Sequence, residues 1–227
     1  LWGLRQTLVP AKELIASLGE TDSPDGESQW PLLAARASSF VFPHQTVAAL
    51  TRCLADDGRL RDEASPELML ARSGIRSLPQ TCTRKVREFV QQNSLDHFLQ
   101  DDFVTLSSDR YVLPLKANFK GRLQGVIHDY SQTGETCYFE PVFLLEVNNR
   151  LQELKREERE AEIKVLQYLT GIIKGELPAV RDLYALLTDI DVTLAVAALA
   201  AEYDGVSVEF GVDEPVELHK AYHPLLF

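Results

Sequence analysis

The chain has 227 residues, of which 45% are hydrophobic and 25% are charged, and its formal net charge is −11. This length and composition are typical of a soluble globular protein with one or two domains. The excess of acids opposes general attraction to phosphate over most of the surface, so a contact with nucleic acid would need a local basic patch.

Cysteine usage and hydropathy indicate the compartment. The three cysteines are an odd number without CxxC spacing, so we expect no disulfide framework and no zinc site, and a reducing environment. The first residues lack the basic stretch and apolar core of a secretory signal. The longest apolar run, residues 192–201, is interrupted by Thr193 and is too short to span a bilayer. We therefore predict a cytoplasmic protein with no membrane segment.

Residues 1–64 predict the first part of a helical core. Apolar periodicity indicates helices over residues 1–19, 31–40 and 42–54. Such short helices are marginal alone, so we expect them to pack in a bundle with a segment distant in sequence.

Residues 65–102 predict the outgoing arm of a helical lever. Residues 65–67, Ser-Pro-Glu, combine a serine cap, a proline at the first helical position and an acid in the first turn, which is a strong helix start. Apolar residues then recur at spacings of three and four, as in a helix that packs on another helix. Arg84, Lys85 and Arg87 give this arm a basic side.

Residues 103–141 form the only clear β-patterned stretch and predict a small sheet at the tip of the lever. We expect three or four short antiparallel strands, with turns at residues 118–121 and 131–134. The strand-length runs cover residues 103–106, 111–115, 125–128 and 136–139.

Residues 142–174 predict the returning arm, because they carry a heptad seam with one polar interruption at Glu158. A very apolar core helix follows over residues 175–204. Residues 205–227 then predict a strand connector, with strands over residues 206–210 and 216–218. The predicted fold class is mainly α, with a helical core bundle and an antiparallel helical lever that carries a small antiparallel β subdomain.

The tip also carries the strongest candidate for phosphate binding. Residues 109–129 contain four bases and two acids, a local charge of +2 within a chain of −11. Lys116, Lys120 and Arg122 cluster around one turn, and Arg110 lies nearby in sequence. Flexible ammonium and guanidinium groups at a turn can reach phosphates, although an ordinary solvated hairpin has the same appearance. The bases of the outgoing arm are weaker candidates.

Catalytic patterns are weak by comparison. His128, Asp129 and Ser131 offer acid, base and nucleophile, but no nucleophile elbow accompanies them, and a turn after a strand explains them better. The acids of the returning arm have no histidine at metal-ligand spacing. No GxxxxGK[ST] phosphate loop occurs. We therefore predict no catalytic, metal or cofactor residues in this chain.

Several phrases, in order, resemble the MutS superfamily, specifically its bacterial MutS-two branch. They are Asp57-Gly58, Asp62-x-Ala64-Ser65-x-x-Leu68, Asp109-Arg110-Tyr111-Val112-x-Pro114-x-Lys116, Gly125-Val126-Ile127-His128-Asp129-x-Ser131-x-x-Gly134-x-Thr136-x-x-Phe139-Glu140-Pro141, Asn148-Asn149-x-Leu151 and His223-Pro224-Leu225. The resemblance covers most of the chain from about Asp57 onward. Residues 110–141 carry its longest and most specific part, although no physical role for His128 follows from the sequence.

The resemblance implies a helical core, a lever of paired helices and a β clamp, followed in that family by an ATPase domain and often a nuclease domain. It implies that clamp and lever embrace DNA in a homodimer, and that ATP and Mg²⁺ belong to the ATPase domain. On this basis Lys116, Lys120, Arg122 and Arg110 are expected to contact DNA at the clamp. Arg84, Lys85 and Arg87 are expected to contact it more weakly on the lever.

The leading hypothesis is a noncatalytic core, lever and clamp region of a recombination-suppressing, nucleoid-associated ATPase and nuclease. ATP-driven changes would move the lever, and the clamp would close on branched or duplex DNA. One alternative is binding to RNA on collided ribosomes, which the same family resemblance allows. Two others are a helical scaffold that binds proteins through its arms, and a hydrolase that uses the region of His128.

Overall fold

The structure is a computed structural model that describes residues 1–19, 31–39, 41–93, 104–117 and 124–206. Six α-helices, two short 3-10 helices (Asp62–Ala64 and Val142–Leu144) and four strands are present in these ranges. The helices are α1 (Trp2–Gly19), α2 (Pro31–Ala37), α3 (His44–Cys53), α4 (Pro66–Asn93), α5 (Leu145–Gly175) and α6 (Leu177–Glu202), and the strands are β1 (Thr105–Ser107), β2 (Arg110–Lys116), β3 (Gly125–Tyr130) and β4 (Thr136–Pro141). The chain divides into two compact units, Leu1–Arg5 with Thr46–Ile172, and Gln6–Gln45 with Ile173–Phe227.

The first unit contains the long helices α4 and α5, which run antiparallel. Helix α4 begins as the sequence predicts, because the Ser65 hydroxyl accepts the Leu68 backbone N–H at 3.1 Å. The helices approach closely at Gly74, where an added Cβ would lie 2.8 Å from a methyl group of Leu154. Buried apolar side chains at helical spacing line both facing surfaces and form the predicted seam.

Glu158, the polar interruption of that seam, is bound by Arg72 of α4. The Arg72 guanidinium donates to Glu158 at 2.8 Å and to Glu162 at 2.7 Å. It also donates to the Asp62 carboxylate at 2.9 Å and to the Leu60 carbonyl at 2.7 Å. Burial would lower the pKa of Arg72, but these hydrogen bonds outweigh it and raise the pKa. We call this cluster the Arg72 node, and it joins α4 to α5.

The strands form one antiparallel sheet in the order β1-β2-β4-β3. The hairpin between β1 and β2 turns at Ser108 and Asp109, which both have positive φ, as a tight two-residue turn requires. Strand β3 contains a register shift between Ile127 and Asp129, so a bulge places His128 between two paired residues.

One face of the sheet packs on α4 and α5. Leu113 and Leu115 of β2 and Phe139 of β4 point into an apolar core that both helices share, in keeping with the two-residue period of a strand. The buried members of this core are Leu78, Cys82, Val86, Val90, Leu113, Leu115, Cys137, Phe139, Leu144, Val147, Leu151 and Leu154. The rings of Phe89 and Phe143 stack at its edge, with centroids 4.3 Å apart.

The second unit buries a smaller apolar cluster. Leu18, Ala37, Leu186 and Ile190 pack together, and Arg36 forms an ion pair with Asp189 beside them. The buried residues of α6 lie on one side of the helix, whereas residues 191–199 are exposed.

Helix α6 alters one expectation about hydropathy. It is long and apolar enough to cross a membrane by length and composition, with a mean hydropathy of 1.7 over its most apolar window. The apolar run at residues 192–201 covers only part of this helix, whose apolar composition begins near Leu177. The apolar segment is therefore longer than predicted from the sequence. Only 17% of that window is buried, and a single helix of this kind is weak evidence for a membrane span.

The predicted fold class is confirmed: the protein is mainly α with a small antiparallel β subdomain. The structure has four strands in the predicted sheet, and within the described residues each helix begins and ends within three residues of its predicted range. The predicted strands over residues 206–210 and 216–218 and the turn at residues 118–121 lie outside the described residues, apart from Val206, which is in neither helix nor strand.

Candidate nucleic-acid interface

Lys116 is the last residue of β2, and its side chain is exposed at that end of the strand. It is opposite Thr136 in the β2–β4 ladder, and the next amide, that of Ala117, donates to the Glu135 carbonyl at 2.9 Å. Lys120 and Arg122 lie outside the described residues. The structure therefore places one of the three clustered tip bases.

Arg110 begins the same strand, so it lies about 20 Å from Lys116 at the usual rise of a strand. Its guanidinium makes a two-pronged ion pair with Glu140 of β4, with Nε and Nη2 each 2.7 Å from a carboxylate oxygen. The hydrogen bonds to Glu140 raise the pKa of Arg110, and burial lowers it. The effect of the hydrogen bonds is the larger, so the pKa of Arg110 is raised. Arg110 is thus separated from Lys116 and is already bound to a carboxylate.

The Glu140 carboxylate is the centre of a second polar cluster, which we call the Glu140 node. It is only 1% exposed and accepts hydrogen bonds from Arg110, from His128 Nε2 at 2.5 Å and from Asn148 Nδ2 at 2.8 Å. Burial alone would raise the pKa of Glu140, but the bonds from Arg110, Asn148 and His128 outweigh it and lower the pKa. The three partners therefore favour the ionised form of the buried Glu140 carboxylate.

Asn148 of α5 extends the hydrogen-bond ladder of the sheet. The β2–β4 register pairs Leu113 with Phe139. Continued by two residues, it would pair Tyr111 with Pro141, which has no N–H to donate. The Asn148 side chain takes that place, accepting the Tyr111 N–H at 2.7 Å and donating to the Tyr111 carbonyl at 2.9 Å. A helix side chain thus substitutes for a strand backbone.

Two further residues of α5 hold the turn between β1 and β2. Gln152 donates to the Asp109 carbonyl at 2.7 Å, and Lys155 forms an ion pair with the Asp109 carboxylate at 2.6 Å. Asn148, Gln152 and Lys155 follow one another at helical spacing and share one face of α5. Together they bind residues 109–111, so we call them the α5 stripe.

The bases predicted on the lever differ in their surroundings. Lys85 forms an ion pair with Glu146 at 3.1 Å, whereas Arg84 and Arg87 are exposed. Arg84 and Arg87 line an open recess of about 580 Å³ along α4, together with Pro79, Gln80, Thr83, Glu88 and Gln91.

The residues considered for hydrolysis are engaged elsewhere. His128 binds Glu140, and the Ser131 hydroxyl accepts the Thr136 N–H at 3.1 Å, in a turn closed by Gly134 at positive φ. Within the described ranges His128 and Ser131 share no hydrogen bond, and no group of three or more metal-ligating side chains occurs there. Turn formation accounts for Ser131 and Gly134.

The polar nodes are the part of the site that sequence reasoning missed. Arg110, His128, Glu140 and Asn148 all belong to the phrases that carry the resemblance, but each lies on a different strand or helix. The detectable signal is a set of polar residues within strand and seam patterns that otherwise bury apolar side chains. Their pairing depends on the sheet order, with β4 between β2 and β3, which adjacency in sequence does not predict.

No family model matches the chain. Among curated proteins, it is 59% identical over 182 residues to Endonuclease MutS2 of Solidesulfovibrio magneticus, which covers 80% of this chain and 24% of that protein. It is 46% identical over 226 residues to Endonuclease MutS2 of Maridesulfovibrio salexigens, which covers 100% of this chain and 29% of that protein. Endonuclease MutS2 of Agathobacter rectalis is 34% identical over 177 residues, which cover 78% of this chain and 22% of that protein.

The chain spans about a quarter of the length of these curated relatives. The similarity nevertheless covers most of the chain itself and includes the strands and helices that form both polar nodes. The resemblance first indicated by the phrases between Asp57 and Leu225 is confirmed, and the chain belongs to the MutS2 family.

Proposed function

We propose that this chain is the DNA-contacting arm of a MutS2 protein, in which the sheet and the adjoining end of the α4–α5 pair hold duplex or branched DNA by its phosphates. The whole protein would act in the bacterial cytoplasm as a dimeric ATPase and endonuclease that suppresses homologous recombination. ATP and Mg²⁺ would bind elsewhere in that protein, and this chain would supply binding and movement. The name endonuclease, which the relatives carry, supports action on a nucleic acid.

The observation that carries the proposal is that several exposed bases on the arm form no ion pair among the described residues. Arg84, Arg87 and Lys116 are exposed and take part in none of the ion pairs formed among the described residues, whereas Lys85 and Arg110 hold carboxylates. A base with no carboxylate partner can bind a phosphate without first breaking an ion pair. Among the described residues the same is true of other exposed bases, which are Lys12, Arg159, Lys164, Lys174 and Arg181. The position of Arg84, Arg87 and Lys116 near the sheet is what makes them the candidates for phosphate contact.

Their position supports a common surface near the sheet. Arg84 and Arg87 lie on the part of α4 whose buried side chains, Val86 and Val90, enter the core shared with the sheet. Lys116 lies at the end of β2, next to the segment that contains Lys120 and Arg122. Arg84, Arg87 and Lys116 thus lie around one subdomain of a chain whose net charge is −11, which favours a localised contact with the DNA backbone.

The test is fluorescence anisotropy of the chain with labelled duplex and four-way-junction DNA across a salt series. Binding should weaken with salt, with a log–log slope of about −0.9 for each phosphate contact on duplex. Two variants remove the proposed contacts, Arg84→Glu/Arg87→Glu on the lever and Lys116→Glu/Lys120→Glu/Arg122→Glu at the tip. Each should weaken binding and make the salt slope shallower.

A matched control reverses three charges away from the proposed surface, as Arg156→Glu/Arg159→Glu/Lys164→Glu on α5. This control changes the net charge as much as the tip variant does, so it measures the effect of general repulsion. Equal losses in the tip variant and the control would refute a localised contact. Tighter binding to duplex RNA or ribosomes than to either DNA would refute the choice of DNA as the ligand.

A further inference from the structure

The sheet is attached to the two long helices in two physically different ways. Its apolar face packs on both α4 and α5, and apolar packing is strong but has little directional preference. The hydrogen bonds described above instead join the sheet to α5, and hydrogen bonds weaken steeply when their angles change. The orientation of the sheet is therefore determined by its polar contacts.

Those contacts form one continuous set along α5. Asn148 makes three hydrogen bonds, to both backbone groups of Tyr111 and to Glu140. Gln152 and Lys155 add two more to Asp109, at 2.7 Å and 2.6 Å. Glu140 passes the connection to the other strands, because it also binds Arg110 of β2 and His128 of β3. Strands β2, β3 and β4 are thus tied to one face of one helix.

We propose that Asn148 and Glu140 are positioning residues that fix the sheet to α5, so that the sheet follows α5 when the two long helices move relative to each other. Asn148 is completely buried and Glu140 is 1% exposed, so water does not compete for these bonds. Side chains of α4 meet the sheet in the shared apolar core, where packing is less directional than hydrogen bonding. A displacement of α5 would therefore reach Lys116 through β2, the strand that Asn148 holds at its other end.

The inference rests on the proposed function for its purpose, but its geometry can be tested without DNA. Spin labels can be placed on exposed positions of the sheet end, α5 and α4 as Gln132→Cys, Arg159→Cys and Gln80→Cys, in pairs. The native cysteines Cys53 and Cys82 are completely buried, as is Cys137, so they should remain unlabelled in the folded protein. Pulsed electron paramagnetic resonance then gives the distance distribution for each pair.

Asn148→Ala should broaden or shift the distance between the sheet and α5 and leave the distance between α4 and α5 unchanged. The matched control is Asn149→Ala, which alters the neighbouring, exposed asparagine of the same helix and should leave both distances unchanged. If Asn148→Ala does not fold, Asn148→Leu fills the same space and still removes the three hydrogen bonds of Asn148. A sheet–α5 distribution identical to wild type in a folded Asn148→Ala or Asn148→Leu protein would overturn the proposal.

Duplex affinity provides a second, independent readout. If Asn148→Ala leaves the sheet in the binding orientation for one tenth of the time, the apparent Kd rises about tenfold, whereas Asn149→Ala leaves it unchanged. Failure of the wild-type chain to bind any DNA would refute the proposed function. The distance measurements would still decide whether Asn148 positions the sheet. Unchanged duplex affinity together with a broadened distance would refute the link between orientation and binding.

Discussion

Removing the Arg72 guanidinium should destabilise the α4–α5 pair more than removing any exposed base of the same helix. Arg72 is 19% exposed and donates four hydrogen bonds, three of them to the carboxylates of Asp62, Glu158 and Glu162. A charged hydrogen bond contributes about 1.5–3 kcal/mol when buried, but these carboxylates are 27–38% exposed. Discounting each bond for solvent to about 0.5–1 kcal/mol gives a loss of about 2–4 kcal/mol for Arg72→Met.

The measurement is equilibrium unfolding in urea, followed by tryptophan fluorescence in a Trp30→Phe background. Trp2 is then the remaining tryptophan, and it lies in the first unit, where its indole donates to the Asp56 carbonyl at 2.9 Å and its side chain packs near Gly58. The shift in the midpoint, multiplied by the urea dependence, gives the change in the free energy of unfolding.

Arg76→Met is the matched control, because Arg76 is 61% exposed and makes one ion pair, with the same Asp62. It should lower the free energy of unfolding by less than about 1 kcal/mol. Arg72→Lys keeps the charge but cannot make the forked contacts, so its loss should lie between the two. Equal losses for Arg72→Met and Arg76→Met would refute the reasoning that the Arg72 node joins the helices.

Three further predictions concern the sheet and its core. Because the folded pKa of Glu140 is lowered, its ionised form stabilises the fold above about pH 4.3 and this contribution is lost as pH falls through the folded pKa. In urea unfolding, the advantage of wild type over Glu140→Gln should therefore shrink from pH 7 to pH 3, and a constant difference would contradict it. Burial raises the pKa of the Cys82 thiol to about 11, so DTNB at pH 8 should modify it only after unfolding, and rapid reaction of the native protein would contradict its burial. Gly125→Ala should lower the free energy of unfolding in urea by about 2 kcal/mol or more, because a Cβ there would lie 2.2 Å from the Glu140 carbonyl oxygen. Gly171→Ala, where nothing lies within 4 Å, is its control, and an equal effect would contradict the steric reason.

The order of elements could be predicted because each element carries a local pattern. The cap at Ser65, the seams of α4 and α5 and the two-residue period of β2 and β4 depend on neighbours within a few residues. The structure confirms the antiparallel sheet between two long helices. The contacts of Lys116, Arg84 and Arg87 with DNA stay predictions, as do those of Lys120 and Arg122.

The polar nodes could not be predicted because their members come from distant parts of the chain. Arg110 and Glu140 are 30 residues apart, and Arg72 and Glu162 are 90 apart. Glu158 is an interruption in sequence and an ion-pair partner in three dimensions. Arg110 illustrates the same limit. It lies close to Lys116 in sequence, which suggested a shared role, but the two residues stand at opposite ends of β2.

The sheet order also has a consequence for biosynthesis. Strand β4 lies between β2 and β3 but is the last of the four to leave the ribosome. Until it emerges, β2 and β3 lack the partner that completes both of their ladders, and the apolar face of α4 has neither the sheet nor α5 to cover it. Incomplete chains with such exposed edges and apolar faces are prone to aggregate. Synthesis through Asn148 and the following turns of α5 is therefore the step that closes this subdomain and ends that exposure.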